Sequence, residues 1–234
     1  MLYVVASPIG NLADITIRAL EVLRAVDLIA AEDTRRTAVL LHRYEIKKPL
    51  TSLHEHNEAR RTAELVDQLR AGTSIALLTD AGLPSISDPG FRLVAACREA
   101  NLPLTIIPGP SAVLTALVGS GLPTHAFYFG GFLPVKSGQR SRELTAAISR
   151  NCTSIYFESP HRLQKSLAEL ELLAPNHPIC VARELTKQFE TFHRGIAREL
   201  QKYFSDHSPR GEITLVIAPA SFGKTDKSLP EPLC

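Results

Sequence analysis

The chain has 234 residues, 44% of them hydrophobic, and 26 lysines and arginines against 24 aspartates and glutamates give a net charge of +2. That is enough apolar material for one large domain or two small ones, which excludes a disordered tail. Nucleic-acid binding does not follow from that total, so any case for it must come from local basic clusters, and no run reaches the roughly 18 to 20 apolar residues of a membrane span.

The four cysteines, Cys97, Cys152, Cys180 and Cys234, lie far apart, without the short paired spacing of a zinc site or redox dithiol. They are expected to be packed free thiols in a reducing compartment. The N-terminal residues read as a strand rather than a leader, so the expected setting is the cytoplasm.

Taken in chain order, Leu2 to Ala6 reads as a short buried strand that runs into Ser7-Pro8-Ile9-Gly10-Asn11, where proline and glycine permit a tight turn. The polar Asp14-Ile15-Thr16 leads into an amphipathic helix over Ile17 to Ala25. A second strand, Leu28 to Ala31, ends on the adjacent carboxylates Glu32 and Asp33, followed by Thr34-Arg35-Arg36. Asp33 is placed either to cap the next helix or to accept a proton. Asn57 to Ala71 has helical spacing, and the strand Ser74 to Thr79 opens onto the loop Asp80-Ala81-Gly82-Leu83-Pro84-Ser85-Ile86-Ser87-Asp88-Pro89-Gly90. Asp88 before Pro89 predicts the N-cap of a helix over Phe91 to Ala100. The small residues ahead of it leave backbone amides and carbonyls open, but the lysine and spacing of a phosphate-binding loop are missing.

After the strand Leu104 to Ile107, the segment Pro108-Gly109-Pro110-Ser111 marks a boundary, and Ala112 to Ser120 follows as a helix of small residues. The second half opens with a β-rich stretch, Phe127 to Phe132, and continues with strands at Ser154 to Phe157, Ile179 to Ala182 and Ile213 to Ala218 and a helix over Arg162 to Leu173. Alternation of strands and helices predicts an α/β architecture with largely parallel pairing. The expected domains are 1–112 and 113–220, with a loose tail over 221–234.

Open α/β sheets bind ligands at the carboxyl ends of their strands, so the loops there are the candidate site. Ser159 and Pro160 suffice to start a helix, which leaves His161 and Arg162 without a structural reason. Arg183-Glu184-Leu185-Thr186-Lys187 and Gly211-Glu212 flank two further strands. Basic residues cluster at Arg35, Arg36 and Arg43, at Lys47 and Lys48, at Arg60 and Arg61, and at Lys136, Arg140 and Arg142. Three or four converging cations would suffice to dock RNA, and Arg35, Arg36, Lys136 and Arg140 are the candidates, against the alternative of solvated helix faces. His54-Glu55-His56 lacks the i, i+4 spacing of a zinc-binding pair, and no metal is expected.

Together, Ser7-Pro8-Ile9-Gly10-Asn11-Leu12, Ala31-Glu32-Asp33-Thr34-Arg35 and Asp80-Ala81-Gly82 through Ile86-Ser87-Asp88-Pro89-Gly90 resemble one family, as do Pro108-Gly109-Pro110-Ser111-Ala112, Glu158-Ser159-Pro160-His161-Arg162 and Arg183-Glu184-Leu185-Thr186-Lys187. It is the small-subunit ribosomal RNA methyltransferase I family, 2′-O-ribose methyltransferases of the tetrapyrrole-methylase superfamily. The resemblance implies a two-domain α/β protein, usually dimeric, with S-adenosylmethionine (SAM) in a cleft between domains and a cytidine of small-subunit (16S) ribosomal RNA, at the decoding centre, as substrate. Carried onto this chain, the cofactor-binding residues are Ile9, Gly10, Asp80, Ala81, Gly82, Ser85, Ile86, Ser111, Ala112, Phe157, Glu158, Arg183, Glu184, Gly211 and Glu212. The RNA-binding set is Arg35, Arg36, Lys136, Arg140, His161 and Arg162.

The first loop holds Asn11 where superfamily members acting on tetrapyrroles typically have an aspartate, which disfavours a porphyrinoid substrate. Methyl transfer depends mostly on in-line geometry, with a nearby acceptor for the hydroxyl proton. Asp33 is the first candidate for that acceptor, then Glu32 and Glu184, while Asn11 would orient the ribose and Arg35 would grip a flanking phosphate. The competing readings are a methyltransferase acting on a tetrapyrrole-like metabolite and a binding module without catalysis.

Overall fold

The computed structural model describes residues 1–222, so the tail expected over 221–234 falls, from residue 223 onward, outside the described residues. The described residues form two compact units, Met1–Ala112 and the part from Val113 onward.

In the first unit the strands β1 (Leu2–Val5), β2 (Leu28–Ala31), β3 (Leu50–Ser52), β4 (Ile75–Leu78) and β5 (Leu104–Ile107) form one sheet in the order β3-β2-β4-β1-β5. All its pairings are parallel, so every strand ends at the same edge. The helices α1 (Ile17–Ala25), α2 (Thr34–Arg43), α3 (Glu58–Arg70) and α4 (Phe91–Glu99) cover the two faces. Val5, Ile29, Ala76 and Leu78 pack with Leu23 of α1 and with Leu40 and Leu41 of α2. Leu2, Val4, Ala30, Ile75 and Leu77 pack with Leu65 and Leu69 of α3 and with Leu93 of α4. A strand buried on both faces reads as an unbroken apolar run, which is why β1, β2 and β4 stand out in the sequence.

The second unit contains α5 (Ala112–Ser120), which begins at the junction, then β6 (Phe127–Phe132), α6 (Ser137–Ser149), β7 (Thr153–Glu158), α7 (Pro160–Leu173), β8 (Pro178–Arg183), β9 (Thr191–Ile196), α8 (Ala197–Asp206) and β10 (Ile213–Ile217). Its sheet runs β6-β7-β10-β8-β9. Only β6 and β7 pair in parallel; β10 is antiparallel to β7 and β8, and β9 is antiparallel to β8. Largely parallel pairing therefore holds for the first sheet and is corrected for the second. Tyr156, Val181, Leu215 and Ile217 form the core with Leu144 of α6, Leu163 and Leu167 of α7, and Leu200 and Phe204 of α8.

The sequence reading did not foresee β3 or β9. The helix expected to start at Asp88 begins instead after Gly90, whose φ of +123° ends the loop. Its free N–H groups are met from elsewhere: the amides of Gly90 and Arg92 donate to Glu58 Oε1 at 2.8 and 3.1 Å. Cys97 and Cys180 are buried free thiols and Cys152 is half-buried. Among the described residues no helix is long and apolar enough to cross a membrane, and no group of histidines, cysteines or carboxylates is placed to hold a metal ion.

Candidate active site

The parallel sheet brings the loops after β1, β2 and β4 together, and they are tied to one another. Ser7 and Gly82 exchange two backbone hydrogen bonds, the Ser7 amide donating to Gly82 O at 2.9 Å and the Gly82 amide to Ser7 O at 3.1 Å. The buried Ser7 hydroxyl donates to Thr79 O at 2.9 Å. Between the second and fourth strands the stitching uses carboxylates. The Asp33 amide donates to Asp80 Oδ1 at 3.2 Å, and the Asp80 amide donates to Glu32 Oε2 at 3.1 Å. Arg36 then pairs with Asp80 Oδ2 at 3.2 Å. A one-residue change in either loop thus perturbs both.

The two adjacent carboxylates have different environments. Asp33 caps α2, accepting from the Arg35 amide at 2.9 Å, and the Arg35 guanidinium grips both its oxygens at 3.0 and 2.7 Å. That side-chain grip first, and then the Arg35 amide, hold Asp33 well below the usual carboxylate range. While Arg35 holds it, Asp33 is a poor proton acceptor, which counts against its first place among the candidates. Glu32 is shifted upward, mainly by burial and further by the charges of Asp80 and Asp33, with the Asp80 amide and Arg36 opposing. Asp88 is pushed up to about 7, by burial first, then by the Glu32 charge and, more weakly, Asp80, while the Thr79 hydroxyl opposes.

Asn11 Oδ1 accepts from the Ala13 amide at 3.1 Å, capping the single 3-10 turn Leu12–Asp14. Ile9 is buried and Gly10 exposed. In the loop after β4 the non-glycine residues Ser85 and Ser87 have φ of +75° and +62°, and the Ser85 amide donates to Pro89 O at 3.1 Å, closing the turn. Ser85 Oγ is buried without a hydrogen-bond partner, an orphaned polar atom of the kind a bound ligand satisfies. Ser111 and Ala112, both half-buried, lead into α5.

In the second unit the register lines up Glu158, Ile213, Arg183 and Thr191 along one edge of the sheet, so Phe157, Glu158, Arg183, Glu184, Gly211 and Glu212 are neighbours there. Glu158 is fully enclosed: its oxygens accept from the Ser159 amide at 2.7 Å and the Ser166 hydroxyl, and it pairs with Arg162 at 2.8 Å. Its side chain is thus committed to the protein. Glu184 Oε1 accepts from Lys187 Nζ at 2.8 Å and from the Glu212 amide at 3.0 Å. Burial pushes Glu184 up, but these donors outweigh it and the net shift is downward, so it too is a weak base. Phe157 packs edge-on to Phe129 and Phe132 at 5.0 and 5.4 Å. Arg183 donates to the carbonyls of Arg210 and Phe189 at 3.2 and 3.3 Å.

Gly211 is required here, because its φ is +79° and a Cβ would collide with the Glu184 carboxylate. Gly211→Ala is expected to push Glu184 off the Glu212 amide and to destabilise the protein by roughly 1–3 kcal/mol. The measurement is the urea midpoint at unchanged m; an unshifted midpoint would mean that the loop relaxes freely.

Two of the residues expected to dock RNA are corrected by their surroundings. Arg140 is 4% exposed; its guanidinium donates to Glu169 at 2.5 and 3.2 Å and to Val135 O at 3.3 Å. Arg162 donates to Leu133 O at 3.0 Å as well as pairing with Glu158. Both hold the fold together. Arg35, Arg36, Lys136 and His161 are exposed. Sequence reasoning missed Glu58 and misassigned Asp88, since nothing local links Glu58 to a helix end 32 residues later.

Against known proteins, residues 1–201 match the family of Tetrapyrrole (Corrin/Porphyrin) Methylases. A ribosomal RNA small subunit methyltransferase I of Synechocystis sp. is 50% identical over 222 residues, covering 94% of this chain and 80% of the relative. One from Thermotoga maritima is 46% identical over 217 residues, covering 93% and 97%. Among solved structures, a uroporphyrin-III C-methyl transferase from Thermus thermophilus complexed with S-adenyl homocysteine shares the fold, with a TM-score of 0.64 at 17% identity over 93% of this chain and 96% of that one. The chain belongs to the tetrapyrrole methylase family and, within it, to the ribosomal RNA small subunit methyltransferase I group.

Proposed function

We propose that the protein transfers a methyl group from SAM to the ribose 2′-hydroxyl of a cytidine in small-subunit (16S) ribosomal RNA, near the decoding centre. The observation that carries this reading is the stitched edge of the first sheet, where small residues, a Gly82 φ of +77° and the orphaned Ser85 hydroxyl sit beside a carboxylate cluster. Open main-chain groups and few side chains suit a nucleoside with a methionine tail. Ile9, Gly10, Asp80 to Gly82, Ser85, Ile86, Ser111 and Ala112 of this part of the chain would contact SAM. Phe157, Arg183, Glu184, Gly211 and Glu212 are the contacts proposed in the second unit, with Glu158 contributing through its backbone. SAM supplies the methyl group as an activated sulfonium. The chain's own residues have to hold the hydroxyl in line and take its proton. Asn11 would orient the ribose. A homodimer in the cytoplasm is part of the same proposal.

The test is transfer of radiolabelled methyl from SAM to purified small ribosomal subunits lacking their decoding-centre methylation. The modified position is mapped by reverse-transcription stops at low nucleotide concentration. A single 2′-O-methyl stop at a cytidine is the expected result. Transfer to a free porphyrinoid instead would establish the metabolite reading.

Arg35 and Arg36 keep 89% and 70% of their side chains exposed, so their carboxylate pairs can yield to a phosphate. Arg35→Ala is expected to weaken binding to the subunit and to reduce the slope of log K against log salt by about 1, the loss of one phosphate contact. An unchanged slope would remove Arg35 from the RNA surface.

A further inference from the structure

We propose that Asp88 is the group that takes the ribose hydroxyl proton during methyl transfer. The proposal rests on the methyltransferase reading above and names a residue of the same site.

The other carboxylates of these loops already hold partners in the fold. Asp33 caps α2 and is gripped by Arg35. Glu58 caps α4, Glu158 holds Arg162 and Ser166, and Glu184 holds Lys187 and the Glu212 amide. Asp80 receives the Asp33 amide and Arg36, and Glu32 receives the Asp80 amide. Both oxygens are held in Asp33, Asp80 and Glu158, and one oxygen each in Glu32 and Glu184. Asp88 has no cation paired with it among the described residues, and Glu58 has taken over the helix end that Asp88 is placed to cap.

The loop is shaped to present it. Positive φ at Ser85 and Ser87 is strained for residues with a Cβ, and the Ser85–Pro89 hydrogen bond folds the chain around Asp88. At the loop's foot Gly90 has no room for a side chain, since a Cβ would lie 2.9 Å from Leu77 Cδ2. Strain held at a turn that carries a carboxylate, with rigid anchors on both sides, fits a positioned reacting group. A second sign is Thr79, 2% exposed, whose hydroxyl stands by Asp88 and completes no hydrogen bond of good geometry. A ligand oxygen at this point would complete the bonding of that buried hydroxyl beside the Asp88 carboxylate.

The charged groups around Asp88 are Glu32 after β2 and Asp80 after β4, the latter partly neutralised by Arg36 of α2; Glu58 and Arg92 lie at the foot of the loop. Repulsion from Glu32 and Asp80 makes the proton welcome on Asp88 as it leaves the hydroxyl. In the step, the ribose oxygen forms its bond to the methyl carbon, the carbon–sulfur bond breaks with its electron pair returning to sulfur, and the hydroxyl proton passes to the Asp88 carboxylate. Charge balances: a cationic sulfonium and a carboxylate become a neutral thioether and a neutral acid.

The experiment compares wild type, Asp88→Asn and Glu32→Gln in single-turnover methyl transfer to small ribosomal subunits across pH, with SAM affinity measured by calorimetry on the same proteins. The wild-type rate is expected to rise with pH through about 7 and then level off, because the acceptor must be ionised. Asp88→Asn is expected to keep SAM affinity within about twofold while losing about 10² to 10⁴ in rate and the inflection with it. Glu32→Gln removes a neighbouring negative charge and should move the inflection to lower pH, which a merely structural role would not do. An unchanged rate and inflection in Asp88→Asn overturns the proposal, and so does a collapse of SAM affinity in that variant, which would make Asp88 a support of the cofactor loop. Absence of transfer by the wild type overturns the methyltransferase reading itself, a result separable from failure of Asp88 alone.

Discussion

Replacing Glu158 by alanine is expected to lower the stability of the protein by about 3–5 kcal/mol, the cost of leaving a buried ion without its partner. The Glu158 side chain is 0% exposed and its partner Arg162 only 20%. The substitution strands that guanidinium, the Ser166 hydroxyl and the Ser159 amide together. Part of the loss should return in Glu158→Ala combined with Arg162→Met, because the orphaned charge is then gone while the aliphatic stem still packs. Urea unfolding of the three proteins measures this. A loss below about 1 kcal/mol in the single variant would mean that water reaches the site and that Glu158 is available to a ligand after all.

Much of this architecture can be read from the sequence, and where it cannot the reason is physical. Strands buried on both faces, such as β1 and β4, are unbroken apolar runs, and caps made by neighbours, such as Asp33 for α2 and Ser159 with Pro160 for α7, lie within a few residues of what they cap. The strand β3 is three half-buried residues at the sheet edge, too short to show a period. In β9, Thr-Phe-His-Arg-Gly-Ile, polar residues are admitted because this edge strand has one neighbour and no fully buried residue.

The candidate site is legible in the same way and fails in the same way. Loop composition finds the segments after β1, β2 and β4, since small residues and turn-formers are local signals. It cannot find pairings made across the fold. Arg140 looks like any other arginine of a basic cluster until α7 brings Glu169 against it, 29 residues on. Asp88 reads as a helix cap because Asp-Pro is a local capping pattern, but the carboxylate that does the capping arrives from α3. The case for Asp33 as base is weakened for a related reason: the residue that grips it, Arg35, is only two positions away, but its grip is a rotamer choice that sequence does not display.

Asp80 links two loops and also acts on the proposed proton acceptor through its charge. Asp80→Ala removes the acceptor of the Asp33 amide and the partner of Arg36, while the backbone bond from residue 80 to Glu32 survives. A fully buried amide left unpaired costs about 1–3 kcal/mol; this one is half-buried and loses less, and the loosening falls on the segment that would hold SAM. Affinity for SAM is therefore expected to fall by about 10- to 100-fold, measured by calorimetry at fixed pH and salt. The same change removes a negative charge that pushes Asp88 upward, so the inflection of the methyl-transfer rate should move to lower pH. That shift should be smaller than in Glu32→Gln, since Glu32 has the larger effect on Asp88. Weakened SAM binding with a fixed inflection would separate the two roles, leaving Asp80 as the clasp between loops and placing Asp88 outside its field. Unchanged SAM affinity would mean that the clasp serves folding alone.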